Sequence, residues 1–185
     1  MSENEPSVGI SRRTVTKAMA WAMPAVAVAA TVPFAAASAC NDFNPENPCP
    51  ITLAGTGCKL PGNSNSLYKG YAFKLTIANP TGAQITINVT SATLDGSSLG
   101  GVRVVNLNDG SSQANPFTVP AHTTYTAALL TVNAPNSSNG ALSITYTVNG
   151  GAPMVANATI PSAPPIQGAS CSTFNSTEKG YIAAQ

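Results

Sequence analysis

Across 71–160, apolar residues return at every second position in short runs, and each run stops at a cluster of Gly, Pro, Asn or Asp. Successive side chains of a strand point to opposite faces, so a period of two describes half-buried strands, whereas an amphipathic helix repeats every 3.6 residues. In the first run Tyr71, Phe73, Leu75 and Ile77 share one face and Ala72, Lys74 and Thr76 the other, before Asn79-Pro80-Thr81-Gly82 turns the chain. Ile85, Ile87 and Val89 form the inward face of a second run that continues toward Leu94 and ends at Asp95-Gly96, a strong turn pair. A short strand over 102–105 closes at Asn108-Asp109-Gly110. The stretch 117–132 reads as an edge strand ending at Pro120, a tight turn and a longer strand, because proline in a sheet is confined to edges and ends. A loop at 136–140, an alternating run from Leu142 to Val148, a turn at Asn149-Gly150-Gly151 and a strand over 153–160 complete the series.

About seven or eight short strands separated by turn residues predict an all-β chain folded as an antiparallel β-sandwich. Phe73-x-Leu75-x-Ile77 leading into Asn79-Pro80 resembles the start of bacterial immunoglobulin-like modules, as does Phe117-Thr118-Val119-Pro120-Ala121-His122-Thr123-Thr124. The resemblance implies an immunoglobulin-like sandwich over 67–161 and marks a fold, not an activity. Antibody-type domains bury a Trp against an inter-sheet disulfide, and here the single Trp, Trp21, precedes the strand region altogether.

The N-terminal part reads as an export signal. Ser11-Arg12-Arg13-Thr14-Val15-Thr16-Lys17 is followed by 18–37 without a charge, and then by the small residues Ala37-Ser38-Ala39. A basic region, an apolar segment and a small-residue cleavage site are the three parts of a secretory signal. The run resembles a twin-arginine signal, with Arg12 and Arg13 as its arginines and Thr16 as a departure from its apolar positions. The resemblance implies recognition by the twin-arginine translocase and then by signal peptidase at Ala37 and Ala39, leaving a secreted or cell-surface product without a transmembrane anchor. A general secretory signal and a retained anchor are the alternatives; Ala-rich composition with Pro24 and Pro33 weakens the anchor reading. Cys40 directly after the cleavage site raises lipid anchoring, although Ala37 stands where a lipidation motif usually has Leu. Leader and strand layout together are similar to secreted surface proteins of actinobacteria.

The expected organisation is a signal over 1–39, a Cys-, Pro-, Gly- and Asn-rich segment over 40–66 with one short strand at 51–53, the sandwich, and a tail over 162–185. No helical segment is expected after residue 40. All four cysteines, Cys40, Cys49, Cys58 and Cys171, follow the leader, and in an exported chain an even count reads as two disulfides with three possible pairings. The expected pairing is Cys58 with Cys171, tying the tail back, and Cys40 with Cys49. Eight-residue gaps between the first three are poor for a zinc site, and no metal or cofactor is expected.

Beyond the leader, Lys59, Lys69, Lys74, Arg103 and Lys179 balance Asp42, Glu46, Asp95, Asp109 and Glu178. A nucleic-acid or anionic-membrane partner needs a basic patch, so neither is expected. His122 stands alone and in a turn sequence, and no Gly-x-Ser-x-Gly elbow supplies it with a nucleophile. The five carboxylates all fall in turns or terminal segments, which is poor for a glycosidase pair. Asp95-Gly96 and Asn108-Asp109-Gly110 resemble pieces of calcium loops without the further oxygen ligands. The glycosylation-type triplets at Asn88, Asn136, Asn157 and Asn175 are expected by chance in a chain this rich in Asn, Ser and Thr. The expectation is therefore a non-enzymatic extracellular domain with a binding or structural role, its ligand a cell-wall component, a glycan or a protein. A hydrolase or carbohydrate-active enzyme with an unrecognised site is the alternative, as is a lipid-anchored surface protein.

Overall fold

The structure is a computed structural model that describes residues 49–62, 67–134 and 139–185. Ten strands appear among them: β1 (Ile51–Lys59), β2 (Tyr71–Asn79), β3 (Ile85–Leu94), β4 (Ser97–Ser98), β5 (Val102–Asn106), β6 (Ser112–Ala114), β7 (Phe117–Val119), β8 (Thr123–Thr131), β9 (Gly140–Val148) and β10 (Met154–Ile160). One sheet runs β1-β2-β8-β5-β6; the other runs β10-β9-β3-β4, with β7 added to β3. Every pair of these strands is antiparallel. Taking β1, β2, β3, β4, β5, β8, β9 and β10 as strands A, B, C, C′, D, E, F and G gives ABED against GFCC′, the immunoglobulin strand order. The count exceeds seven or eight because the crossing between sheets adds the short β6 and β7.

Between the sheets lies the main core. Tyr71, Phe73, Leu75 and Ile77 of β2, the face expected from their spacing, pack with Ile87 and Leu94 of β3 and with Ile144 and Tyr146 of β9. The inward face of β3 changes phase along the strand: Ile85, Ile87 and Val89 are buried, then Ala92 and Leu94. A register shift against β9 between Val89 and Ser91 is the cause, since one extra residue in a strand moves every later side chain to the opposite face. The Asp95-Gly96 and Asn149-Gly150 turns have positive φ at both residues (51° and 76°, 50° and 73°), as tight hairpin turns require.

Asn79 joins the turn between β2 and β3 to the end of β7. Its side chain is fully buried, Nδ2 donates to the carbonyls of Ala83, Val119 and Pro120 at 2.8, 3.0 and 2.9 Å, and Oδ1 accepts from Thr81 N and Oγ1. A buried amide is tolerated because every one of its strong hydrogen-bonding positions is used.

Two expectations are corrected. The segment before residue 67 is not loop with a three-residue strand: β1 spans nine residues and belongs to the first sheet, so the sandwich begins at Ile51. Its glycines mark a bulge between Leu53 and Gly57, where Gly55 adopts φ 70° and a Cβ on Gly57 would lie 2.6 Å from the Phe73 ring. The tail also contains a helix, α1 (Ser176–Ala183), where none was expected. Asn175 caps it: Oδ1 accepts from Glu178 N at 2.9 Å, and Glu178 Oε2 accepts from Asn175 N at 2.8 Å, a reciprocal capping box.

Candidate functional site

The middle of the first sheet is buried on both faces. Ala72, Val105, Ala128 and Leu130 point away from the main core and form a second apolar cluster with Leu60, Ile166, Phe174 and Ile182. The tail and α1 therefore roof the outer face of this sheet. Three devices hold that roof. Cys58, near the end of β1, is bonded to Cys171 across 113 residues, as expected. Lys59 and Pro165 form a parallel bridge, with Lys59 N donating to Pro164 O and Ile166 N to Lys59 O, each at 2.9 Å. Lys74 of β2 reaches up to α1, its Nζ donating to Glu178 Oε1 at 3.0 Å and to Thr173 O at 3.2 Å, with the Phe174 ring 5.8 Å away.

The roof does not close completely. A groove of about 550 Å³ remains where α1 and the tail approach Leu60, Pro61 and Tyr68, and its volume lies within the range of small-molecule sites. Leu60, Leu130, Ile166 and Ile182 supply apolar surface, and Tyr68 and Lys179 also line it. Among the described residues, no acidic side chain lines it. Arg103 lies next to this site: its Cζ is 5.4 Å from the Tyr68 ring centroid, and Nη1 donates to Ser112 Oγ at 3.2 Å and Gln185 Oε1 at 3.4 Å. Its Nε is buried without a hydrogen-bond partner.

A smaller cavity, about 290 Å³, is lined by Asn106, Asp109, Gln113, Thr118 and Tyr125 among others. Its polar groups already serve one another. Gln113 donates to Thr118 O at 3.0 Å and accepts from Thr118 N at 2.9 Å. Asp109 accepts from Ser111 Oγ at 2.6 Å, Ser111 N at 2.8 Å and Asn106 Nδ2 at 3.1 Å. The Ser111 bonds hold the Asp109 carboxyl below the usual carboxylate range, hydroxyl first and backbone second. This is turn chemistry, and it leaves few groups for a ligand.

The other candidate residues do not converge. His122 is exposed at φ 52° in the β7–β8 turn, with its N–H on Thr81 O at 3.1 Å. Asp95 is in the β3–β4 turn, Asp109 in the β5–β6 turn, and Glu178 belongs to the cap of α1. No group of three or more His, Cys, Asp or Glu side chains able to hold a metal occurs among the described residues. Arg12, Arg13, Ala37, Ala39, Cys40, Asp42, Glu46 and Asn136 lie outside them. Cys49 is disulfide-bonded, and Cys40, its expected partner, is likewise outside the described residues. Asn175, one of the glycosylation-type positions, is the N-cap of α1.

The groove was not anticipated, yet its signals are in the sequence. Ala127-Ala128-Leu129-Leu130 and Val104-Val105 are unbroken apolar runs, which denote strands covered on both faces and so demand a roof. Asn175-x-x-Glu178 is the capping signature that begins α1.

No protein-family model matches the chain, and no curated protein matches it. Fold and groove define its class: an all-β sandwich of immunoglobulin strand order with a disulfide-tied helical roof.

Proposed function

We propose that the chain is an exported, non-enzymatic immunoglobulin-like domain that acts by binding a ligand in the groove under α1. The groove itself carries this reading: it is the largest opening described above, apolar at its base, and framed by elements that a disulfide and an ion pair keep in place. Scattered titratable groups favour binding over catalysis, because general acid–base chemistry needs its partners within hydrogen-bond reach. An oxidised Cys58–Cys171 pair is compatible with an extracellular address, and no helix among the described residues is long and apolar enough to cross a membrane.

Export rests on the leader, with Arg12 and Arg13 read by the twin-arginine translocase and cleavage after Ala39. Changing both arginines to Lys is expected to stop secretion; undiminished secretion would return the leader to the general route.

The binding reading is tested by comparing the protein with its Gly180→Leu variant for retention of cell-wall polysaccharide, envelope lipids and extracellular proteins. Gly180 is one of the residues that line the groove, and a leucine there adds bulk to that lining. A ligand held by the unaltered protein and lost by the variant supports the proposal, and equal retention by both overturns it.

A further inference from the structure

Two separate apolar clusters hold the domain. Among the described residues, the main core between the sheets ends in the sequence at Ala163, whereas Ile166, Cys171, Phe174 and Ile182 all belong to the cluster on the outer face of the first sheet. The roof over 166–185 can therefore lift without opening the main core. Its hinge lies at Pro164-Pro165, where the backbone bonds of Lys59 to Pro164 and Ile166 fix the point of departure.

The noncovalent grip on this roof is slight for its length. Over 166–185 the buried residues are Ile166, Cys171, Phe174, Glu178 and Ile182, while every residue that is ordered costs conformational entropy. α1 has eight residues, fewer than the roughly 12–15 at which an isolated helix becomes even marginal, and Gly180 inside it weakens it further. The Lys74–Glu178 pair is partly exposed and adds a modest amount. The remaining fastening is covalent, and it is sheltered: Cys58 and Cys171 are 0% and 2% exposed within the second cluster. Thiol–disulfide exchange needs access to a sulfur, so this bond forms or breaks only while the roof is raised.

We propose that α1 and the tail form a redox-latched strap, raised on the chain whose Cys58 and Cys171 are thiols and closed when they are oxidised. The inference deepens the groove reading, and it rests on that reading and on the export proposed above. Cytosolic thiols are kept reduced and exported ones are oxidised, so the groove is assembled only outside the cell. Closure joins the two sulfurs; their two protons and two electrons pass to a disulfide-bearing oxidant, which leaves as two thiols. A raised strap takes Ile166, Lys179 and Ile182 away from the groove and leaves Leu60, Tyr68 and Leu130 as an open face.

Hydrogen exchange read by mass spectrometry tests the strap, on the protein as cells produce it and after treatment with dithiothreitol under native conditions. The reagent also reaches the bond at Cys49, so Cys58→Ala combined with Cys171→Ala, which leaves Cys49 in place, is measured in parallel. In the reduced protein and in the double variant, α1 amides are expected to lose their protection and exchange like those of an unstructured peptide, while β2, β3 and β9 keep theirs. Oxidised glutathione is expected to restore α1 protection to the reduced protein and not to the variant. Protection of α1 that persists without the bond overturns the proposal. Loss of protection in β2 and β9 together with α1 overturns it too, because the bond then holds the whole sandwich and not a strap. None of these readouts involves a ligand, so a groove that binds nothing leaves them standing, and a strap that stays closed without the bond leaves the groove reading intact.

Discussion

Lys74, halfway along β2, and Glu178, in the first turn of α1, meet at 3.0 Å although 104 positions separate them. The same carboxylate caps the helix through Asn175 N, so one side chain both starts α1 and fastens it to the sheet. The contact is partly shielded, with 27% and 12% of the two side chains exposed, and therefore exceeds an open surface pair in worth.

Lys74→Met is expected to destabilise the fold by about 1–2 kcal/mol, the scale of a hydrogen bond to a charged group. Asn175→Ala should cost about 1 kcal/mol through the lost cap. Chemical denaturation of each variant and of Lys74→Met combined with Glu178→Gln reads the coupling between the two residues. Strict additivity of the Lys74 and Glu178 changes would show that they do not act as a pair.

The Cys58–Cys171 bond closes a loop that contains nearly the entire sandwich. In the chain-entropy account a closed loop of about 100 residues is worth roughly 4–5 kcal/mol, so Cys58→Ala with Cys171→Ala should lower the melting temperature markedly. Hydrogen exchange should rise first in α1 and the bridge at Lys59 and Pro165, because the bond anchors that roof. Exchange that rises equally in β2 and β9 would contradict a local anchoring role.

Tyr146, fully buried in the main core, has its phenol pushed up to about 12 by burial, and a backbone hydrogen bond at Ile51 opposes this in part. Burial also raises Tyr71 and Tyr125, the latter with help from the Asp109 charge. The folded state holds the Tyr146 proton more tightly than the unfolded state, whose pKa is about 10. Its contribution is thus present in full below pH 10 and lost as pH rises through about 12, at most about 2–3 kcal/mol in all. Urea midpoints between pH 9 and pH 12 should fall more steeply for the unaltered protein than for Tyr146→Phe, and parallel slopes would refute the assignment.

How far the fold could be read in advance depended on which force set each element. Tyr71, Phe73, Leu75 and Ile77 alternate cleanly because one face meets a core and the other was assumed to meet water, so β2 was legible to within two residues. Ala72 is buried all the same, because α1 and the tail cover that second face, and a small apolar residue reads equally well as exposed. β1 was masked by Gly55 and Gly57, which resemble loop punctuation but serve a bulge and a close approach to Phe73. α1 is eight residues long and weakly amphipathic, with only Glu178 and Ile182 buried, so no apolar stripe announced it. The site followed the same division. Turn placement of His122, Asp95 and Asp109 was legible from local chemistry, whereas the groove arises from residues far apart in the chain that only the roof brings together.

The central claim is that the groove beneath α1 is the working surface of the domain. Native mass spectrometry of the protein isolated from its producing cells without denaturation tests it directly, with the Gly180→Leu variant prepared in parallel. The account predicts an additional small-molecule mass on the unaltered protein that is missing from a variant of equal melting temperature. Bare protein in both preparations, or the same additional mass on both, would contradict it.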